Sequence, residues 1–404
     1  MSDQVIIFQD FQLIDLEKGE IQSGVSLVVE KGRVRDLTRQ PGSGRRVSLG
    51  GGFILPGLID AHVHLVWEGQ PDPNRYTVSE SIPSTAYRAA RSAWRNLQGG
   101  VTTVRDVGGP HGITIALAQA AADGRIAGSR ILAAGSPVAQ TGGHVYTMAR
   151  EADGIGEVCK AVREQIKTGA DFIKLMCSGG AYTKGESIHA TQLTPAEIRA
   201  AVDEAHAAER RVAAHALPER AIQNCLEAGV DTIEHGALLT AKNIETFRQS
   251  GAFLVPTLAP YHIMASQGAQ RGVPDYAVEK SKTVMNHYLA SLKTASGSGV
   301  NLALGTDGGS PTLPHPTLPW EAWLWYREAG LDALTVLRAA TIGSARALGR
   351  EQELGLLKPG YWADLVVYAR NPLENLSVLH EPQRVFQGGR EIADIMPVWS
   401  SILM

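Results

Sequence analysis

Pro56-Gly57-Leu58-Ile59-Asp60-Ala61-His62-Val63-His64 reads as a buried β-strand whose last residues carry two imidazoles spaced two apart. Residues i and i+2 of a strand share a face, so both rings reach one metal ion from one strand end. Two core or surface histidines would be the plainer interpretation. An apolar strand with a tight Pro-Gly start and a terminal His-x-His favours convergent ligands instead.

From this stretch to about residue 350, short apolar runs alternate with helical patterns, the signature of βα units on a parallel sheet. The expected strands are 57–62, 101–107, 130–134, 171–176, 211–215, 232–235, 253–258 and 301–307. Amphipathic helices are expected at 86–98, 113–122, 155–168, 195–209, 218–228 and 241–249, and a longer helical stretch follows the seventh strand and ends near Ser296. Eight such units predict an α/β protein with a (β/α)8 TIM barrel.

Both ends of the chain read differently. Residues 5 to 50 alternate apolar runs with turns, Glu30-Lys31-Gly32 among them, and the chain returns to β at Ala363-Asp364-Leu365-Val366-Val367-Tyr368 and Arg384-Val385-Phe386-Gln387. Neither end buries enough surface alone, so the two are expected to form one small β-sandwich beside the barrel. The expected organisation is 1–53 and 354–404 for the sandwich and 54–353 for the barrel.

The chain has 404 residues, a formal net charge of −3 and a pI near 6.5, which leaves no basic field for nucleic acid and no polybasic membrane anchor. A small-molecule substrate is the expected partner. Cys159, Cys177 and Cys225 are odd in number and lack paired metal-ligand spacing, which argues against a disulfide framework and for a reducing cytoplasm. No basic, then apolar leader opens the sequence, and no apolar run approaches about 18 residues, so no export or membrane segment is expected.

Ligands and catalytic groups of such barrels sit at the C-terminal ends of the strands. Those ends carry His62 and His64 (first strand), Lys174 (fourth), His215 (fifth), His235 (sixth) and Asp307 (eighth). Neutral imidazole suits zinc and similar divalent metals, and a carboxylate adds a basic group able to take a proton from water. An ammonium would repel a cation. Burial lowers the pKa of a lysine, however, and the neutral amine can add carbon dioxide to become a two-oxygen carbamate. An intact ammonium paired with a carboxylate, or a lysine at a frayed strand end, are the other readings of Lys174.

Taken together, Pro-Gly-Leu-Ile-Asp-x-His-x-His, the strand-four lysine, the histidines of strands five and six, and Gly305-Thr306-Asp307 resemble the amidohydrolase superfamily of metal-dependent hydrolases. The resemblance covers nearly the whole chain. It implies a binuclear centre, with zinc the expected metal: His62 and His64 on the more buried ion, Lys174 bridging as carboxylysine, His215 and His235 on the more exposed ion, and Asp307 contacting the buried one. It also implies that a metal-bridged hydroxide attacks the substrate while Asp307 takes the proton and delivers it to the leaving group. Homo-oligomers are implied in the same way.

The wording Thr141-Gly142-Gly143-His144, Ile173-Lys174-Leu175-Met176-Cys177-Ser178-Gly179-Gly180 and Ile233-Glu234-His235-Gly236 is similar to the subgroup of Xaa-Pro dipeptidases, carboxypeptidases acting on N-acyl amino acids and dipeptides, and ochratoxin-type amidases. These cleave amides beside a free carboxylate. The likeness implies that His144 bonds the scissile carbonyl or its oxyanion, and it makes Tyr182 a candidate contact to the substrate carboxylate or oxyanion. A cyclic-amide hydrolase resembling imidazolonepropionases, or a ring-amine deaminase, is the alternative on the same apparatus. Lys174 argues against the deaminase, since deaminases of the superfamily often use one metal and no carbamate.

A non-enzymatic barrel leaves six ligand types without a purpose, and Schiff-base chemistry at Lys174 leaves the histidines unexplained. His189 and His262 follow strands four and seven and are placed to line the pocket. Arg105-Asp106, at the end of strand two, reads equally well as a structural ion pair. The run Trp320, Trp323, Trp325, Tyr326 reads as core or oligomer interface.

Overall fold

In the structure, a computed structural model that describes residues 4–395, the Pro56-Gly57 step joins two different sheets. Residues 1–3 and 396–404 of the two expected end segments lie outside the described residues. On one side of the step, Phe53–Pro56 belongs to a mixed sheet; on the other, Leu58–Val63 opens a parallel one. A side chain at Gly57 would place its Cβ 2.1 Å from Thr102 Oγ1, so the second strand approaches the backbone directly.

Leu58–Val63 is buried at every position, as expected of a parallel strand covered on both faces. The strands that follow are Val101–Asp106, Arg130–Ala133, Phe172–Met176, Arg211–Ala216, Thr232–His235, Phe253–Val255 and Asn301–Leu302. Parallel ladders join the first three and the last five. Asp171 N donates to Ala133 O (2.9 Å) between third and fourth, and His64 N to Gly308 O (2.9 Å) and Ala61 N to Leu304 O (2.9 Å) between first and eighth.

The last two strands are shorter than expected. Pro256 has no N–H to donate, and the helix Leu258–Gln267 starts two residues later. Beyond Leu302 the chain turns aside: Leu304 N donates to Ala339 O (3.1 Å), and the Asp60 carboxylate holds Thr306, Oδ1 accepting its N–H (3.0 Å) and Oδ2 its hydroxyl (2.7 Å).

The helices run as expected within a few residues, with Ile82–Gln98 starting earlier at a Ser81 cap. After the seventh strand come Leu258–Gln267 and Asp275–Gly297, and Leu318–Arg327 packs against the first of these. The buried Glu321 of that last helix accepts from Leu258 N (2.8 Å), Ala259 N (2.7 Å) and Trp325 Nε1 (2.7 Å), satisfying donors left open at a helix start. Trp325 is fully buried and Trp320 nearly so, which places both in the core. Among the described residues no helix is long and apolar enough to cross a membrane.

The ends of the chain build two further sheets. One contains Ile6–Gln9, Ser26–Glu30, Arg33–Thr38 and Arg45–Ser48; the other contains Gln12–Asp15, Glu20–Ser23, Phe53–Pro56, Leu365–Tyr368, Arg384–Gln387 and Arg390–Glu391. Leu365–Tyr368 lies antiparallel to Phe53–Pro56, so both ends of the chain share a sheet. Phe8, Leu27, Ile54, Leu365 and Phe386 belong to one apolar cluster drawn from both sheets, with the rings of Phe8 and Phe386 edge to face at 4.9 Å. Asp364 ties this region to the parallel strands by accepting from Arg130 Nη1 (2.7 Å).

Truncating Phe386 to alanine should cost about 3–5 kcal/mol, the usual penalty for emptying a buried aromatic site. Urea unfolding of the purified variant reads this; a wild-type midpoint would show that the end sheets do not depend on the Phe8–Phe386 contact.

Candidate active site

The expected ligands come from five strands, and the strand order brings them to one end. His62 lies near the end of the first strand and His64 directly after it, Lys174 sits mid-way along the fourth, and His215 and His235 lie at the ends of the fifth and sixth. Asp307 follows the eighth. Ring centroids are 5.7 Å apart for His62 and His64, 5.0 Å for His62 and His235, and 4.6 Å for His215 and His235. Asp307 Oδ1 lies 3.6 Å from His62 Nε2 and 3.5 Å from His64 Nε2. One donor atom each from His62, His235 and Asp307 falls within 4.8 Å of the others.

Two of these side chains reach the centre through backbone that L-residues rarely adopt: φ is +69° at His235 and +56° at Asp307. Such strain persists only where the surroundings over-determine it. Tyr288 donates to His235 O (2.9 Å), and Asp307 N donates to His62 O (2.8 Å), fixing both turns.

The second nitrogen of each ring is occupied. His62 Nδ1 meets Glu234 Oε2 (2.6 Å), His64 Nδ1 meets Gly108 O (2.9 Å), His235 Nδ1 meets Thr257 Oγ1 (2.7 Å), and His215 Nε2 meets Gly179 O (3.3 Å). Three rings therefore offer Nε2 to the centre and His215 offers Nδ1. Burial pushes His64 down to about 3 and holds the other three well below the usual imidazole value, so all four are neutral with a free lone pair.

Burial also brings Lys174 down to about 8, against an opposing pull from Glu234, and raises Asp307 to about 7. Lys174 Nζ and Asp307 Oδ1 are buried without any hydrogen-bond partner. Leaving such atoms unpaired is costly. Neutral imidazoles converging on a carboxylate and an amine, with two polar atoms unsatisfied, form a donor set that fits divalent cations.

His144 comes in on the loop after the third strand. Its Nδ1 contacts Glu186 Oε2 (2.8 Å), its ring lies 4.3 Å from that of His215, and its N–H donates to Gln192 Oε1 (2.9 Å). The ring rests on Gly180, where any Cβ would come within 2.2 Å of it. Burial pushes Glu186 up, but its bonds to His144, Gln192 and Gly180 outweigh this and leave it below the usual value, an anion beside the imidazole. Tyr182 turns toward the same cavity with its hydroxyl buried and unpartnered; burial, with Asp307 nearby, keeps the phenol protonated.

Other expectations do not hold. His189 is exposed and His262 stands against Trp320 at 5.8 Å; neither lines the cavity. Arg105 pairs with Glu234 rather than with Asp106, whose carboxylate accepts from Leu65 N (2.7 Å) and Gly108 N (3.2 Å). Sequence reasoning missed Glu234, Glu186 and Thr257. A signal existed for Glu234: an acidic residue inside a buried strand needs a partner.

Comparison with known proteins agrees with this arrangement. Ochratoxinase of Aspergillus niger is 31% identical over 370 residues, covering 83% of this chain and 75% of that protein. The crystal structure of a prolidase complexed with N-methylphosphonate-L-proline superimposes with a TM-score of 0.88 at 32% identity, over 96% of this chain and 99% of that one. That of a Xaa-Pro dipeptidase with bound methionine in the active site gives 0.89 at 29% identity, over the same shares. The amidohydrolase family pattern matches residues 53–392, and with it this chain belongs to the amidohydrolase family of metal-dependent hydrolases, in the subgroup of the prolidases and ochratoxinase.

Proposed function

We propose that the chain hydrolyses the amide bond of dipeptides or N-acyl amino acids at a pair of divalent cations, zinc in this reading. The observation that carries it is the convergence of four neutral imidazoles on Lys174 Nζ and Asp307 Oδ1, both buried and unpartnered. The prolidase and dipeptidase likenesses support the substrate class. Residues 54–353 are read as the (β/α)8 barrel, supported by the bonds that link the eighth strand to the first, and residues 1–53 with 354–404 as the sandwich. The same reading makes the protein a cytoplasmic homo-oligomer.

His62, His64 and Asp307 would hold the more buried cation and His215 and His235 the other. Lys174 would bridge them after its neutral amine adds carbon dioxide and gives up a proton. When bound, divalent cations lower the pKa of water toward about 7 and polarise a carbonyl. Asp307 accepts the proton of the attacking water and passes it to the departing amide nitrogen. Glu186 occupies Nδ1 of His144, which leaves Nε2 to reach the scissile carbonyl oxygen. The Tyr182 hydroxyl, protonated and unpartnered, is a donor for the carboxylate or oxyanion of the substrate.

Three measurements test this. Assayed on dipeptides, N-acyl amino acids, cyclic imides and aminated heterocycles, zinc-loaded protein should release free amino acid from the first two classes and lose that activity on chelation. Ring opening of imides alone, or ammonia from heterocycles, would move the chain to the cyclic-amide or deaminase alternative.

Asp307→Asn should lower kcat by about 10²–10⁴-fold, the span of general acid–base catalysis, with metal content retained. The base works as a carboxylate, so wild-type kcat/KM should fall as pH drops through its pKa; burial sets that near 7 and a neighbouring cation moves it lower. Unchanged turnover in the variant would remove Asp307 from this role.

Lys174→Ala should lose bound metal and regain part of it in millimolar acetate, a carboxylate standing in for the carbamate. Full metal content without acetate would rule out a bridging lysine.

A further inference from the structure

Beneath the converging rings lies a second layer of buried charge that the proposed chemistry does not use. Glu234, fully buried, is the hub. Its Oε2 lies 2.6 Å from His62 Nδ1; its Oε1 accepts from Arg105 Nη2 (2.7 Å) and from the Thr232 hydroxyl. Arg105 is itself pinned: Nε donates to Ala61 O (2.6 Å), Nη1 to Thr232 Oγ1 (3.0 Å), and its guanidinium lies 5.2 Å from the centre of the Phe172 ring. Three strands and the peptide just before His62 are thus tied to one carboxylate.

We propose that Glu234, oriented by Arg105, is a positioning residue that locks His62 in its Nδ1-protonated tautomer and so reserves Nε2 for the buried cation. The inference rests on the reading of His62 as a ligand. With Oε1 accepting from the Arg105 guanidinium and the Thr232 hydroxyl, Oε2 of the same carboxylate is placed as an acceptor, which puts the shared proton on His62 Nδ1. Nε2 then carries the lone pair, 3.6 Å from Asp307 Oδ1.

The other three rings have weaker instructions. His64 and His215 face backbone carbonyls, and Thr257 beside His235 is a hydroxyl able to donate or accept. His62 alone of the four is backed by a carboxylate, the pairing that fixes the tautomer and ring orientation of a ligand histidine. Arg105 keeps that anion in place from the side opposite the ring.

Glu234→Gln is the direct test, because one amide oxygen cannot serve both Arg105 and His62. In chelator competition with zinc, the tighter of the two sites should weaken by about 10–100-fold, the usual loss when a ligand histidine is deprived of its backing group. The cobalt-substituted variant should show an altered visible spectrum while its far-ultraviolet dichroism stays that of the wild type. Unchanged zinc affinity and cobalt spectrum would overturn the proposal.

A second measurement needs no variant of Glu234. In metal-free wild-type protein labelled with ¹⁵N-histidine, His62, assigned by loss of its signal in His62→Gln, should carry its proton on Nδ1. A proton on Nε2 would overturn the proposal even if Glu234→Gln failed to fold. Wild-type protein that binds no zinc would defeat the hydrolase reading, while the metal-free spectrum would still decide what Glu234 does to His62.

Discussion

Desolvation governs this molecule. Within one end of a parallel sheet the chain buries four imidazoles, a lysine and the carboxylates of Asp60, Glu234 and Asp307, groups that are costly to remove from water unless paired. The rest of the architecture answers that cost. Asp60 is engaged by Thr306 and the His62 backbone, Glu234 by Arg105 and His62, and the outer nitrogens of the rings by carbonyls, a hydroxyl and a carboxylate. What stays unpaired, Lys174 Nζ and Asp307 Oδ1, faces the centre. Residual electrostatic frustration is thus concentrated where chemistry needs it.

The same cost accounts for what was legible in the sequence. Strands one to six announce themselves because short buried runs seeded by Val, Ile, Leu or Ala alternate with helical patterns. Strands seven and eight are overrun by local demands: Pro256 stops one, and the turn that delivers Asp307 stops the other. The ligands were readable because imidazole, lysine and carboxylate rarely gather at apolar strand ends for packing alone. Their partners were not, since Glu234 reaches His62 across 172 positions and Glu186 reaches His144 across 42. Such pairings belong to the tertiary arrangement of the strands rather than to any local pattern. His189 and His262 show the converse: proximity in sequence to a strand end does not decide which way a loop side chain turns.

One further relation concerns time rather than space. Phe53–Pro56, which runs straight into the strand bearing His62 and His64, takes Leu365–Tyr368 as its antiparallel neighbour, and Gly57 N donates to Asp364 O (2.8 Å). The last of these partners is made long after Phe53–Pro56. Until then the nascent chain holds Phe53–Pro56 with one flank open, and pairing across such a separation is slow. The segment that leads into the histidine strand therefore gains this neighbour only once residues 365–368 have been made. A chain ending before residue 363 carries every imidazole of the centre yet lacks the strand that pairs with Phe53–Pro56, the segment leading into His62 and His64.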